Sequence, residues 1–439
     1  MLQEEASQKE TPGISYAFSM FGTSIPINFM KTYAPILYIE QLGLAVSDFS
    51  LVLTISSILD ILFVLLFGTV SDKYAKEMGR KSWLIFGSPL LSLSLIFFFN
   101  EPLLRGQNNL FAYVLIFYTL TILLDGMINI NYGALFPELF KKEKDRIKVN
   151  AYRQIFQLLA MILSIGLTPI LVEEFSFTTV AVAYAIVSSI VIVTTATTYK
   201  EVKVKEEKVK DDRSETFKWT EVFSVLKNSL LIQYGLSTLS YSVAFSLLTQ
   251  ALPFFTRYSL EVDTSMNTYL FLVLFSMTIL SIFFFKSNPL VFSSVDMWSL
   301  SFIVIGIGYF IVWLMGNLIG TFLGITVIGF GIGAMMTSSD IVGVLVIDYD
   351  YMKYKKLRTG KFMSVYNILF RANGIIVGFA YYIAEQFFGF VSGEQTTVVP
   401  NEAANFLFLY FPFLMIVFGV IMSQLFKRVN RNYEVDYEF

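Results

Sequence analysis

The stretch YKEVKVKEEKVKDDRSETFK, residues 199–218, is the only long polar segment in an otherwise strongly apolar chain. It mixes acids and bases along its whole length, which is typical of a solvated linker. Six apolar segments precede it and six follow it. Each is close to or above the roughly 20 residues that an α-helix needs to cross a bilayer. The linker therefore divides the chain into two halves of six membrane-spanning helices.

The hydropathy pattern fixes the predicted spans and domains to within a few residues. The twelve predicted spans cover residues 14–40, 47–71, 82–100, 108–138, 147–172, 176–199, 226–257, 264–285, 296–316, 318–348, 360–387 and 403–427. The corresponding domains are a tail (1–13), a first bundle (14–199), a linker (200–219), a second bundle (220–427) and a second tail (428–439). The predicted fold class is an all-α membrane protein.

Composition supports the membrane assignment and excludes several kinds of chemistry. Hydrophobic residues make up 55% of the 439 residues and charged residues only 15%, whereas soluble domains are about 25% charged. There is no Cys and no His, so disulfides, thiolate catalysis and the commonest general base and metal ligand are absent. We expect no enzyme activity, no metal site and no cofactor. A net charge of −2 gives no indication of nucleic-acid binding.

The loops differ in their basic residues, and this difference predicts the orientation. One set of loops carries Lys73, Lys76, Arg80, Lys81, Lys141, Lys142, Lys144, Arg146, Lys353, Lys355, Lys356 and Arg358. The opposite set carries only Arg105 and Arg257, beside acids such as Glu40 and Glu101. Because Lys and Arg accumulate in cytoplasmic loops, the linker and both termini are predicted to be cytoplasmic. The polar start MLQEEASQKETPG, residues 1–13, is unlike a cleavable signal peptide. The expected location is the cytoplasmic membrane.

Four motifs identify the family that the chain resembles. They are GTVSDKYAKEMGRKSW (68–83), NINYGALFPEL (129–139), DRIKVNAYRQ (145–154) and IDYDYMKYKKLRTGKF (347–362). In this order, at these helix ends, they resemble the glycoside–pentoside–hexuronide:cation symporters, the melibiose-permease branch of the major facilitator superfamily. The resemblance implies two pseudo-symmetric six-helix bundles with cytoplasmic termini. It also implies cation-coupled transport of a sugar or glycoside by alternating access, with the bilayer and a small molecule as partners and no required protein partner.

The cytoplasmic motifs contain residues that are suited to controlling conformation. Gly68 permits a close approach of helices and Gly79 permits a turn. Asp72 can accept hydrogen bonds from Arg80 or from a helix N-terminus and so tie two helices together. The same role is predicted in the second half for Asp348, Asp350 and Arg358. The alternative is a cluster of snorkelling charges with no specific role.

Charged residues inside the predicted spans are the main candidates for function, because each costs several kcal/mol unless it is paired or hydrated. These are Lys31, Asp60, Asp125, Arg153, Asp340 and Arg371. The alternative for each is a structural ion pair, for example between Asp60 and Arg153.

The resemblance assigns Asp60 to the cation site, but this sequence lacks part of the family motif that forms the site. Asp60 matches the first acid of the family's Asp-x-x-x-Asp-Pro motif, whereas Val64 and Leu65 replace the second acid and the proline. A sodium ion there would lack a second carboxylate ligand, unless Asp125 supplied one. In one interpretation Asp60 is a protonatable carboxylate, since burial disfavours its charged form, and a proton replaces sodium. In the other, Lys31 or Arg153 pairs with it permanently, and the protein is a uniporter or an exchanger. The sequence favours the proton.

In the substrate site that the resemblance implies, this sequence has basic residues at the family's basic positions but no acid at two positions where melibiose permease has one. Arg153 matches an arginine that binds sugar hydroxyls, and Arg371 matches a lysine placed between the halves. Ser24 and Asn129 stand where melibiose permease has sugar-binding acids. The predicted substrate-binding set is Ser24, Lys31, Asn129, Tyr132, Arg153, Gln154 and Arg371. This charge balance favours an acidic sugar such as a uronide. A carrier of amphiphiles such as lysolipids is the alternative.

Overall fold

The computed structural model describes residues 11–104, 109–140, 142–199, 228–287, 293–354, 359–390 and 401–437. Within these ranges the regular structure is helical and no β-strand is present. The all-α fold class is therefore confirmed. The predicted linker 200–219, most of the tail 1–13, Arg105, Lys141 and Arg358 lie outside the described residues.

Six long helices precede the linker: α1 (Gly13–Pro35), α2 (Val46–Met78), α3 (Arg80–Phe98), α4 (Leu110–Leu139), α5 (Glu143–Met161) and α6 (Phe177–Thr197). A π-helical turn, Ile36–Gln41, extends α1, and another, Ile162–Gly166, leads from α5 into the short helix Thr168–Glu174. Polar side chains cap two of the N-termini. The Asn109 side chain accepts a hydrogen bond from the Ala112 amide at 3.0 Å, and Ser176 accepts one from Thr179 at 3.2 Å.

Seven long helices follow the linker: α7 (Ser229–Tyr258), α8 (Met266–Ser287), α9 (Ser294–Met315), α10 (Leu318–Tyr354), α11 (Thr359–Arg371), α12 (Asn373–Phe388) and α13 (Phe411–Tyr437). The eleventh predicted span thus consists of α11 and α12, with a break at Ala372. The twelfth begins with the short helix Asn401–Asn405 and the π-helical turn Phe406–Tyr410 before α13.

The loop predicted between the second and third spans is almost entirely helical. The second span was expected to end near residue 71, but α2 continues to Met78, so only Gly79 separates it from α3. Gly79 has φ of 76°, a backbone conformation that L side chains rarely adopt. The polar sequence after residue 71 contains no helix breaker before this glycine, which explains why the helix extends so far.

Eleven segments of the described residues are long and apolar enough to cross a membrane. The α1 segment, the first predicted span, is not among them, so the twelve-span count and the cytoplasmic termini stay predictions. Large apolar side chains such as Leu66, Phe86 and Leu314 are more than 60% exposed in the isolated chain. Side chains of this kind suit a lipid-facing surface.

The described chain packs as two compact units. Unit 1 contains the residues up to Met30 and those from Leu62 to the end of the first half, whereas unit 2 contains Lys31–Ile61 and everything after the linker. The C-terminal end of the first span and the first half of the second therefore pack with the second half of the chain. The predicted domain limits at 14–199 and 220–427 stay predictions.

Candidate coupling and substrate site

Asp60 of α2 and Arg371 of α11 form a buried ion pair within unit 2. Arg371 donates from Nη1 to Oδ2 of Asp60, and the two side chains are only 22% and 9% exposed. The second carboxylate oxygen, Oδ1, is buried and has no hydrogen-bond partner among the described residues. Buried acceptors normally have a hydrogen-bond partner, so Oδ1 is the oxygen at which this carboxylate can accept a further hydrogen bond or a proton.

Small residues bring the two helices close enough for this pair to form. Gly374 is one turn beyond Arg371, and Ser57 is one turn before Asp60; a Cβ added to Gly374 would lie 1.9 Å from the Ser57 Oγ. One turn further along, the Ser50 hydroxyl donates to the Gly378 carbonyl at 2.7 Å. The break after α11 also places Arg371 in the last turn of that helix, where the helix dipole favours a positive charge.

Lys31 adds a second positive charge near Asp60. It lies on α1 in unit 2, and it attracts the Asp60 carboxylate electrostatically. Two cations therefore act on one carboxylate. Asp340 of α10 belongs to the same unit and interacts electrostatically with Tyr234 and Tyr366.

Arg153 of α5 lies in an aromatic box in unit 1. Its guanidinium carbon is 5.0 Å from the ring centre of Tyr132, 5.2 Å from that of Phe136 and 5.9 Å from that of Tyr16. These are cation–π distances. Tyr16 and Tyr132 hold the box together, because the hydroxyl of each donates to the main-chain carbonyl of the other, at 2.5 and 2.9 Å.

The box stabilises the positive charge of Arg153 without neutralising it. No Asp or Glu of the described residues forms a salt bridge with Arg153, and its Nε is buried without a hydrogen-bond partner. Aromatic rings carry no net charge. Unit 1 therefore contains a half-buried cation with no acidic partner among the described residues.

The remaining predicted substrate and cation residues fall in unit 1. Asn129 donates to the Asp125 carboxylate on its own helix at 2.8 Å. Tyr132 is buried in the Arg153 box, Ser24 is buried on α1, and Gln154 is half-buried on α5. The structure thus brings Asp60 together with Arg371, Asp125 with Asn129, and Tyr132 with Arg153. Asp60 and Asp125 belong to different units. No cluster of three or more metal-ligating side chains occurs in the described part of the chain.

The predicted conformational loops are only partly described. Arg80 donates to Glu138 of the 129–139 motif at 2.8 Å, whereas the Asp72 side chain lies outside the description, as does Arg358. Asp350 is buried and accepts from Asn228, the N-cap of α7, at 3.2 Å, while Asp348 is exposed. No described atom lies within 4 Å of a Cβ built on Gly68. The close helix approach expected at Gly68 stays a prediction.

An outer charge cluster was missed at the sequence level. Glu40, at the outer end of the first span, is buried, and its Oε1 accepts from Arg257 Nη1 and from the Tyr258 hydroxyl of α7. The sequence signal was available, because Arg257 is one of only two basic residues in the predicted outer loops.

A family described as "MFS/sugar transport protein" matches residues 15–429 of the chain. Two curated relatives are similar. The uncharacterized symporter YnaJ of Bacillus subtilis is 23% identical over 271 residues, 58% of this chain and 56% of the relative. The uncharacterized symporter sll1374 of Synechocystis sp. is 27% identical over 161 residues, 35% of this chain and 30% of the relative. The alignments thus span about a third to a little over half of these relatives' lengths.

Several solved structures share the fold across nearly the whole chain. A bacterial homolog of the human lysosomal transporter Spinster has a TM-score of 0.68 at 13% identity, with 98% of this chain and 99% of that chain covered. The D-xylose-proton symporter has a TM-score of 0.64 at 12% identity, with 94% and 95% covered. The POT family transporter PepTSo has a TM-score of 0.63 at 10% identity, with 98% and 99% covered. At such identities the likeness shows the fold alone.

Proposed function

Since the chain belongs to the MFS/sugar transport protein family, we propose that it carries an acidic sugar, such as a uronide, together with a proton. Family and fold make it a multi-pass membrane transporter and not an enzyme. The finer proposal rests on one observation above all: the buried Asp60–Arg371 pair, in which one carboxylate oxygen has no hydrogen-bond partner in the part of the chain that the structure describes.

The proton is proposed to bind at the Asp60 carboxylate. Burial disfavours an ionised carboxylate, and only its arginine partner opposes this strongly. When a proton adds to the carboxylate, the side chain becomes a neutral acid and the ion pair is lost. Arg371 keeps its charge, because a guanidinium does not deprotonate in proteins. It then has donors and a full positive charge available for another anion.

The carboxylate of the substrate is proposed to take the place of the ionised Asp60. The planar fork of a guanidinium suits bidentate binding of a carboxylate. Lys31, which also attracts the Asp60 carboxylate, supplies further positive charge in the same unit. Proton and substrate therefore favour each other's binding, as linkage requires. On the side of the membrane with the higher pH, Asp60 loses its proton. The ionised carboxylate then forms its ion pair with Arg371 again and displaces the substrate.

Sodium fits this site less well than a proton. A sodium ion needs several oxygen ligands, whereas Asp60 is followed one turn later on α2 by the apolar Val64 instead of a second carboxylate. A positively charged Arg371 in direct contact with Asp60 also repels a second cation. An uncoupled uniporter, with a permanent Asp60–Arg371 pair, is the competing proposal.

Uptake into liposomes tests the proposal. Purified protein is reconstituted, and uptake of methyl β-D-glucuronide and of methyl β-D-glucoside is compared with an imposed pH gradient, with a sodium gradient and with neither. We expect the pH gradient alone to accelerate uptake of the glucuronide, and the neutral glucoside to be the poorer substrate. Uptake that ignores the pH gradient would support the uniporter. Preference for the glucoside would refute the acidic substrate. Uptake of a lysolipid instead of either sugar would favour the amphiphile carrier.

A further inference from the structure

A polar niche lies beside the helix break that carries Arg371, and no predicted site includes it. It consists of Ser242 and Ser246 on α7 and Asn373 at the start of α12, all in unit 2. Asn373 Nδ2 donates to the Ser242 Oγ at 3.0 Å and to the Ser246 Oγ at 2.9 Å. Both amide hydrogens are therefore used, and the two serines lie one helical turn apart on the same face of α7.

These two serines behave differently from their neighbours on α7. Ser237, Thr238 and Ser240 each donate their hydroxyl hydrogen to a main-chain carbonyl of the same helix, at 2.7 to 2.8 Å. Such back-bonding is the usual way to satisfy a hydroxyl inside a membrane helix. Ser242 and Ser246 accept from Asn373 but donate to no described residue. The Oδ1 of Asn373 is also buried and accepts no hydrogen bond from any described residue.

The unsatisfied groups define what can bind in the polar niche. It offers two O–H donors, from Ser242 and Ser246, and one carbonyl acceptor, from Asn373. An alkyl chain satisfies none of them, a carboxylate leaves the Asn373 acceptor unused, and an ammonium, which cannot accept, leaves both O–H donors unused. A hydroxyl group donates and accepts at once, so a ligand with several hydroxyls satisfies all of them. An unsatisfied buried polar group costs free energy, which gives such a ligand a binding advantage.

We infer that this niche binds ring hydroxyls of the transported substrate. This inference rests on the proposed sugar transport and deepens it, because it assigns the neutral part of the substrate to α7 and α12. Asn373 follows Arg371 by two residues across the break at Ala372. The niche therefore lies next to Arg371 along the chain, which suits a ligand whose carboxylate pairs with Arg371 and whose hydroxyls reach the niche.

The test measures binding of a sugar acid and of analogues that lack single hydroxyls. Isothermal titration calorimetry is carried out on the purified full chain with methyl β-D-glucuronide and with three analogues, each lacking one ring hydroxyl. The variants are Ser246→Ala, Asn373→Ala and the matched control Ser240→Ala, whose hydroxyl donates to its own helix. Thermal melts of each variant without ligand check that it is folded.

We expect wild type to bind at least one analogue about tenfold more weakly than the parent sugar, since one hydrogen bond is lost. Ser246→Ala and Asn373→Ala should bind the parent about tenfold more weakly and no longer distinguish it from that analogue. Ser240→Ala should behave as wild type.

Two results would overturn the inference while leaving the proposed function intact: wild type that binds all analogues as well as the parent, or niche variants that discriminate as wild type does. If wild type binds neither the glucuronide nor methyl β-D-glucoside, both proposals fail together.

Discussion

Removing Arg371 should destabilise the protein by an amount that depends on pH. Arg371→Leu leaves the Asp60 carboxylate, only 9% exposed, without its ion-pair partner. Removing one member of a buried ion pair typically costs about 3–5 kcal/mol. Because the Arg371 side chain is 22% exposed, water can partly replace it, and we expect a value near the lower end, about 3 kcal/mol.

The loss should shrink in acid, where Asp60 can take up a proton and become neutral. Thermal unfolding of the purified protein, followed by tryptophan fluorescence, is compared at pH 8 and pH 5. Arg371→Leu should melt well below wild type at pH 8 and closer to it at pH 5. Asp60→Asn in the Arg371→Leu background should recover much of the loss at pH 8, since the buried carboxylate that lost its partner is then neutral.

A matched control comes from the pair between Lys427 and Asp296, whose side chains are 29% and 42% exposed. Exposed pairs contribute about 0–1 kcal/mol, so Lys427→Leu should change the melt little at either pH. The reasoning is refuted if Arg371→Leu is as stable as wild type at pH 8, or if the second substitution restores nothing.

Three further predictions concern the surroundings of the site. Gly374→Ala should lower stability by about 1–3 kcal/mol, because its Cβ would lie 1.9 Å from the Ser57 Oγ, and Ser57→Gly should partly rescue it in thermal melts. Glu40→Gln should lower the melting temperature at low salt more than at high salt, because Arg257 is 55% exposed and its attraction to Glu40 is screened; equal losses at both salt concentrations would contradict this. Arg153→Leu should weaken glucuronide binding at least tenfold in titration calorimetry while leaving methyl β-D-glucoside less affected; equal losses for both sugars would argue against a role for its charge.

Much of the fold could be predicted because hydropathy and length report directly on membrane helices. The all-α class required only composition and pattern. The extension of α2 to Met78 was missed because polar sequence outside the bilayer was equated with a loop. The break at Ala372 was missed because that span contains no proline, and the Asn-Gly pair that follows Arg371 is a weak signal.

The candidate site was predicted by residue but not by pairing. Asp60 and Arg371 were both identified from the cost of charges in a membrane, yet the partners considered for Asp60 were Lys31 and Arg153. The rotation and packing of the helices decide which charged side chains form a pair, and neither can be read from a single sequence. The structure pairs Asp60 with Arg371 through the close approach of Ser57 and Gly374. Ser242 and Ser246 were missed for a related reason, since serines in membrane helices usually bond to their own backbone.

The central claim is that Asp60 carries the proton that drives transport. Accumulation of radiolabelled methyl β-D-glucuronide in proteoliposomes tests it most directly, with an interior one pH unit more alkaline than the exterior. One proton per monoanion is electroneutral, so wild type should accumulate the sugar up to about tenfold whatever the membrane potential. Asp60→Asn should still exchange labelled for unlabelled sugar but should accumulate none. Accumulation by Asp60→Asn, or wild type that only equilibrates the sugar across the membrane, would contradict the account.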